Sequence, residues 1–445
     1  MDLVHKMSRG VDIMREIVDR VWHLKRDLVS DGIDEALSIL AEYMPVEIEE
    51  YSSGMEVFSW IVPNKWTCRE AFLKDESEKA LFSYADHPLH VVSYSLPFSG
   101  WVDSVTLRKH LYVDDENPEA IPFRSNYYER DWGLCCSKNM AESLVNKYYY
   151  VHIDVIEEPG FLKVGQVIAR GKSDKEFLLV AHLCHPCQTN DDVTGVAVGC
   201  AVMSELLNRK EVEHFYTYRF LILPESIGSI CWLSRHEQII PRIMGGLFLE
   251  MLGTHLPLSL QLSYQGDTQM DRLMKAVLCD IAPHKHWVGA FRTVVGNDER
   301  QFNAPGVRVP MLSLSRVQKN SFRHFQEYHT SHDTPEKVSW EHMAESKRAV
   351  FAIIDAMEAN YYPLNRFRGE VFCSRYNLFL DKSQDTEANK RFFDVMFDID
   401  GTKSVADIAA RHGIGFSAVW SVVERLAQNG LVSLQRCPQG SVHVA

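Results

Sequence analysis

The chain lacks any uninterrupted apolar run approaching the ~18 residues that a membrane-spanning helix needs, so no membrane span is expected. Met1 to Arg20 alternates charged and apolar residues and has no basic stretch leading into an apolar one; no export signal is expected, and the cytoplasm is the expected compartment. Positive charge is also scarce. Lys and Arg number 47 against 60 Asp and Glu, a net charge of −13, which excludes bulk electrostatic attraction to nucleic acid or anionic lipid. The ten cysteines are scattered, and Cys184-x-x-Cys187 has no second ligand pair at the spacing of a structural zinc site. Reduced thiols are the expectation. No internal repeat or low-complexity tract appears.

What is present is a large supply of core. Apolar residues make up 46% of the 445 and charged residues 24%, ordinary for globular chains, and the length predicts two or three domains. Residues 9–43 carry apolar positions at helical spacing, interrupted at Asp31-Gly32 and ended by Pro45. Between about 46 and 170 the texture is short Val-, Tyr-, Ile- and Phe-rich runs between turn residues. Val57–Val62, His90–Leu96, Tyr148–Val155 and Leu162–Ala169 are predicted strands, and Trp60, Trp66, Trp101 and Trp132 an aromatic core. From 177 to 365, uniformly apolar strands (Phe177–Ala181, Tyr218–Leu223, Gly246–Glu250, Met311–Ser315) alternate with helices (Gly195–Leu207, Ile227–His236, Met270–Leu278, Trp340–Tyr361). That alternation predicts an α/β fold, a mostly parallel mixed sheet flanked by helices. The division expected is 1–50 with 150–365 as the catalytic unit, 51–149 as an inserted β-rich domain, and 366–445 as a winged helix. The last rests on Val405–His412, a Gly413-Ile414-Gly415 turn, Ser417–Gln428 with Ser417 as N-cap, and Leu431–Leu434.

The chemistry lies in where the acids and histidines fall. His182 follows the first apolar strand directly. Asp191 and Asp192 precede the next helix. Glu225 follows the second strand, Glu250 ends the third, and His329 lies in Tyr328-His329-Thr330-Ser331-His332-Asp333-Thr334. Parallel strands bring such ends to one edge, where α/β proteins bind ligands. Carboxylates and imidazoles crowded there call for a cation, and mixed His and carboxylate ligands suit Zn2+.

These motifs resemble the zinc-aminopeptidase superfamily. The matching segments are Val180-Ala181-His182, Asn190-Asp191-Asp192-Val193-Thr194-Gly195, Pro224-Glu225-Ser226-Ile227-Gly228-Ser229, Glu250-Met251-Leu252-Gly253 and Tyr328–Thr334, in the superfamily's order over 177–360. A narrower resemblance is to a bacterial branch with an inserted β-rich domain and a C-terminal winged helix. It rests on His182-Leu183-Cys184-His185-Pro186, on Trp60–Trp66, and on Ile121-Pro122-Phe123-Arg124-Ser125-Asn126-Tyr127-Tyr128 with Trp132-Gly133.

The resemblance implies a zinc peptidase, expected to be an aminopeptidase, with one or two Zn2+ ions. Asp191 would bridge two metals, His182 and Glu250 would complete one site, His329 would serve the other, and Glu225 would be general base. Two departures stand out. Ser226 occupies the place of a second glutamate, and Cys184 that of an aspartate that orients the first His; His185 is an added candidate ligand. Arg124, Tyr127, Tyr128 and Trp132 are candidates to line the pocket mouth, and Asp298, Glu299 and Arg316 to bind substrate. The expected partner is a small peptide or amide, with a homo-oligomer as an added expectation. The competing readings are an N-acyl amidase or carboxypeptidase using the same site, and a winged-helix DNA-binding regulator. The latter is disfavoured because Ser417–Gln428 carries Arg425 beside Glu424 and little other charge.

Overall fold

Apolar runs too short for core helices and too uniformly apolar for a one-sided sheet become neighbouring strands with both faces covered. The structure, a computed structural model, describes residues 2–127, 129–209, 213–378 and 386–438. Its main sheet has eight strands: β1 (Glu47–Ser52), β2 (Phe161–Ala169), β3 (Glu176–His182), β4 (Thr217–Leu223), β5 (Ile243–Glu250), β6 (Leu258–Gln261), β7 (His286–Gly289) and β8 (Met311–Ser315). Their order across the sheet is β1-β2-β4-β3-β5-β8-β6-β7. The central four, β4-β3-β5-β8, are parallel. The flanking pairs β1/β2, β2/β4 and β8/β6 are antiparallel.

Every residue of β3 and β4 is buried. The crossovers are the helices Val193–Asn208 and Ile227–Arg235, and the long helix Trp340–Ala359 packs against the first of these. At the start of Val193–Asn208 a side chain is not tolerated. A Cβ on Gly195 would stand 2.4 Å from the Leu249 carbonyl oxygen of β5, so glycine lets the helix approach the strand end.

The segment between β1 and β2 builds a separate four-stranded antiparallel sheet from Lys65–Lys74, Ala80–Ser83, Phe98–Asp103 and Tyr148–Glu158. Two strands expected there do not form. Val57–Val62 is a tight hairpin with two-residue arms, because Phe58 takes a left-handed φ of 51° at its turn. His90–Leu96 runs from a 3-10 turn, Pro88–His90, into isolated bridges, broken by the left-handed φ of 63° at Tyr94. Trp132, an expected pocket residue, stacks between Phe98 and His110 with ring centroids 4.5 and 4.1 Å away. It belongs to the packing of this sheet.

Near the N-terminus the helical run splits earlier than Asp31-Gly32. Asp2–Val21 ends before a loop, and Asp31 and Gly32 instead begin the second helix, Asp31–Ala41, capped by Ser30. The cause is Arg26. Its guanidinium is fully buried in the loop and donates to the carbonyls of Val21, Leu183, His185 and Gln188.

In the tail, helices Thr386–Phe397, Val405–His412 and Phe416–Gln428 precede a strand, Val432–Gln435, which pairs with Tyr362–Asn365 just after the long helix. Ser417 is not the N-cap. Gly415 is, and the Ser417 N–H and hydroxyl both donate to Asp280 of the main body. Arg272 and Asp407 add an ion pair at 2.8 Å across the same contact. The apolar core is continuous, so that Leu73, Val180, Val405 and Leu426 belong to one buried cluster.

Candidate active site

Parallel β3, β4 and β5 end side by side, and their ends carry His182, the loop to Glu225, and Glu250. The Asp191 loop follows β3, and the His329 loop folds over from beyond β8. The result is a compact cluster. His182 Nε2 lies 3.0 Å from Asp191 Oδ1 and 3.9 Å from Glu250 Oε1. His329 Nε2 lies 2.9 Å from the other oxygen, Asp191 Oδ2. His185 Nε2 lies 3.4 Å from Glu225 Oε2, and its Nδ1 lies 3.9 Å from Asp191 Oδ1. The structure therefore brings together His182, His185, Asp191, Glu225, Glu250 and His329.

Much of this polarity meets only other members of the cluster and makes no aligned hydrogen bond. His182 Nε2, His185 Nδ1, both Asp191 oxygens, Glu250 Oε2 and His329 Nε2 are buried with no hydrogen-bond partner among the described residues. An unpaired buried polar atom costs roughly 1–3 kcal/mol, so several in one place demand an explanation. Two donor sets, His182/Asp191/Glu250 and His185/Asp191/His329, each hold their ligand atoms within 4.8 Å of one another and share Asp191. Mixed imidazole and carboxylate donors at this spacing fit a zinc-type cation.

The electrostatics agree. Burial pushes the Glu250 carboxyl well above the usual carboxylate range, with Asp191, Asp192 and Glu299 adding to it. Burial would raise Asp191 too, but the imidazoles of His185, His182 and His329 hold it well below. Burial raises Glu225 and lowers His185. Such a set of charges is one that a cation would stabilise.

Neighbouring groups fix the cluster. Asp192 Oδ1 accepts from Gly195 N and Met251 N, tying the Asp191 loop to the end of β5. Asp333 accepts from the backbone N–H groups of Thr189, Asn190 and Asp191, tying the His329 loop to the Asp191 loop. Cys184 Sγ lies 3.9 Å from His182 Nδ1 and accepts from Glu225 N at 3.1 Å, so the thiol touches two candidate site residues. Cys187 Sγ turns away to the His23 carbonyl. The backbone is strained here as well. His185, Ser226, Met251 and His329 all have left-handed φ values, between 52° and 76°.

The inserted segment forms one wall. Phe123 N donates to the His329 carbonyl at 2.7 Å, and Ser331 N to the Ile121 carbonyl at 2.8 Å. The Phe123 ring stands edge-on to His185 and His329. Beside it lies an open cleft of about 460 Å3, lined by Phe123, Arg124, Tyr328 and His329 together with the carboxylates of Asp114, Asp115 and Glu116, of which Asp114 and Glu116 pair with Arg323 and Asp115 with Lys138. Arg124 is exposed, with its guanidinium 5.8 Å from the Tyr112 ring centroid and no carboxylate partner recorded among the described residues. Tyr127 packs edge-on to Tyr94, and its hydroxyl is buried without a hydrogen-bond partner among the described residues. Tyr128 lies outside the described residues.

The other three candidates for substrate contact have their side chains engaged inside the protein. Asp298 accepts from Ser226 N and the Ser229 hydroxyl, and burial pushes it up to about 7. Glu299 accepts from Gln261 and Asn297 N and is also raised to about 7 by burial. Arg316 donates to Ser346, Glu345 and the Leu256 carbonyl. These partners make Glu299 and Arg316 braces, while Asp298 keeps its Oδ2 buried with no hydrogen-bond partner among the described residues. Sequence reasoning missed Asn297, whose side-chain amide donates to Glu250 Oε1. The only signal was an amide directly before two acids.

A mixed sheet with a parallel centre, flanked by helices, is the fold this chain shares with zinc aminopeptidases. The Bacillus subtilis zinc aminopeptidase shares it at a TM-score of 0.59 with 12% identity, over 78% of this chain and 94% of that one. The M28 peptidase precursor of Shewanella amazonensis does so at 0.56 and 16%, over 77% and 91%. Within that fold the chain belongs to the DUF4910 family, described as a domain of unknown function, whose model matches residues 15–360. A crystal structure from Clostridium acetobutylicum, provisionally assigned as a peptidase, matches at a TM-score of 0.84 and 29% identity, over 96% and 97% of the two chains. A protein of the same organism, provisionally assigned to polysaccharide biosynthesis with an aminopeptidase-like domain, is 30% identical over 422 residues, covering 94% of this chain and 95% of its own.

Proposed function

We propose that the protein is a zinc-dependent hydrolase of the peptidase type that cleaves an amide bond beside a terminal group of a small substrate. The observation that carries this reading is the set of buried donor atoms of His182, Asp191 and Glu250, converging at the strand ends without hydrogen-bond partners among the described residues. These three would hold a zinc ion, with His329 at the far oxygen of Asp191. Bound there, zinc supplies Lewis acidity towards water and the scissile carbonyl.

The chain's own residues do the rest. Glu225 is the base. Its side chain is the partly exposed carboxylate of the cluster, about 26% accessible, so it faces the space where a substrate arrives. Its raised affinity for protons suits a group that takes a proton from the attacking water and returns it to the leaving amine. Phe123 and Tyr328 pack against the His329 ring and orient it. The inserted segment 51–149 acts as a domain that shapes the cleft, and the tail acts as a brace on the main body. An aminopeptidase is the reading that the resemblance favours, and the likeness to a zinc aminopeptidase and to a protein with an aminopeptidase-like domain supports it.

One observation favours a second reading on the same site. Arg124, a cation with no recorded carboxylate partner among the described residues, stands in the cleft. It would suit a substrate ending in a free carboxylate, as a carboxypeptidase or N-acyl amino acid amidase requires. Assay of the zinc-loaded chain against aminoacyl-anilides and N-acyl amino acids separates the two. Hydrolysis of either, abolished by chelation and restored by zinc, is the expected result. A chain that copurifies with no zinc and hydrolyses neither would overturn the proposal.

A further inference from the structure

The zinc pocket proposed above uses one side of Asp191. Its other side faces a second donor set. Ser226 follows Glu225 where the resemblance leads one to expect a further carboxylate, and the Ser226 N–H is engaged by Asp298. A neutral hydroxyl is a poor zinc ligand. The space beside Asp191 and His329 is filled instead by an imidazole from a different loop.

We propose that His185 is the replacement ligand, so that His185 Nδ1, Asp191 and His329 Nε2 form a second divalent-cation site. This rests on the reading of His182, Asp191 and Glu250 as the first.

Four observations carry it. First, His185, Asp191 and His329 present ligand atoms within 4.8 Å of one another. Second, Asp191 divides its carboxylate between two sides, Oδ1 towards His182 at 3.0 Å and Oδ2 towards His329 at 2.9 Å, as a bridging group must. Third, the two nitrogens of His185 have different surroundings. Nε2 lies 3.4 Å from Glu225 Oε2, close enough for the carboxylate to favour the tautomer with the proton on Nε2. Nδ1 then carries a lone pair, and it is buried with no hydrogen-bond partner among the described residues. Fourth, the residue is held in place. Its carbonyl accepts from the buried Arg26 at 2.7 Å, its φ is 76°, and its ring packs edge-on against Phe123 and His182 at 4.9 Å. A histidine serving only to pack or to hold Glu225 would leave Nδ1 unsatisfied, which is a cost without a return. A ligand role accounts for both nitrogens and for the strained backbone.

The test counts metal. The full-length chain is stripped with chelator and dialysed to equilibrium against increasing zinc. Zinc per chain is then read by mass spectrometry for wild type, His185→Ala, His185→Asn and His329→Ala. Melting curves of the stripped forms identify any variant that fails to fold, and Asn keeps most of the polar volume should Ala not be tolerated. The expected result is two zinc ions per wild-type chain and one in each folded variant, with the remaining ion's affinity changed by no more than about tenfold, the lower end of a neighbouring-group effect. One ion at saturation in wild type, two in a folded His185 variant, or none in it would each overturn the proposal. Amide hydrolysis on the same samples separates this from the proposed function. Two ions falling to one without hydrolysis in any form would sink the hydrolase reading and leave the second site standing. Hydrolysis by a wild type holding one ion would do the reverse.

Discussion

Strand β3 has an ionisable residue at each end, and the two ends are treated in opposite ways. At its start, Glu176 is buried against Arg219 of β4 in a two-pronged ion pair at 2.8 and 3.1 Å. Arg219 also reaches Gln166, whose amide in turn reaches Glu49, so that each charge has its partner inside the protein. At its end, His182 meets Asp191 and Glu250 in a cluster whose facing atoms are left unsatisfied. The same strand, equally buried at both ends, thus carries one polar site closed on itself and one that awaits something from outside. Burial of charge alone does not mark function. Burial without internal satisfaction, at the edge where parallel strands end, is the informative combination.

The comparison breaks most decisively at Asp191. Asp191→Ala removes the oxygens shared by both donor sets, so zinc should be lost and amide hydrolysis with it. A fall of about 10³-fold or more follows from losing several kcal/mol of transition-state stabilisation. The stripped variant should melt lower than stripped wild type, because the imidazoles that hold the Asp191 carboxyl well below the usual range lose their counter-charge. Full zinc content in this variant would show that the open end of β3 is not a metal pocket.

Glu225→Gln comes next. It keeps shape and removes basicity, so turnover should fall about 10²–10⁴-fold while zinc per chain stays at the wild-type value. Loss of zinc in parallel would make Glu225 a ligand and not a base.

The closed end should behave in the opposite way. Glu176→Gln leaves Arg219 buried without its counter-charge, and breaking a buried pair from one side costs about 3–5 kcal/mol. Urea unfolding should register that loss, while zinc content and turnover per folded chain stay unchanged. A variant of wild-type stability would mean that the pair is not the self-contained unit its geometry describes.

Three residues of the open end were legible in the sequence because each occupied a position that strand periodicity fixes, whereas Asp191 and His329 came from the motifs of the resemblance. Phe177–Ala181 could only be a buried strand, so His182 had to emerge at its end, and the same logic placed Glu225 and Glu250. The parallel centre of the sheet followed from the same runs. Its edges did not. Glu47–Ser52 is mostly polar and His286–Gly289 only four residues long, and both are strands only because a neighbour supplies the ladder. Arg316 misled for a related reason. A lone arginine after a strand end resembles a substrate contact, and only tertiary packing shows its donors engaged by Ser346, Glu345 and Leu256. Cys184 was legible as a position but not as a contact of the Glu225 N–H, and Asn297 was missed altogether, because in both cases the partner comes from another loop.

Asp27 shares one property with each end of β3 and offers the finest test of the comparison. Like the open cluster, it is buried with an oxygen, Oδ1, that has no hydrogen-bond partner among the described residues. Like the closed end, it belongs to none of the donor sets that could hold a metal. The charged and titratable groups that act on it or feel it are Lys25, Arg26, Cys68, Tyr84, Tyr127 and Cys187. Burial pushes its carboxyl up to about 6, partly offset by a hydrogen bond with Ser93. The folded-state value thus lies above the ordinary one of 3.8, so the folded state favours the protonated form. The stability this group contributes is fully present below about pH 4 and is lost as pH rises through about 6. Its neighbours do not confuse the window, since burial raises the Cys68 and Cys187 thiols to about 12 and 11. Asp27→Asn keeps the shape and removes the titration. The variant should match wild type near pH 4.5 and exceed it by about 2 kcal/mol at pH 7.5, the span expected for a shift of this size. Urea unfolding of the chelated proteins at the two pH values measures the difference directly. An equal gap at both, or a variant less stable at pH 7.5, would show that Asp27 is held as an anion by Lys25 and Arg26 and that it belongs with the closed end of β3.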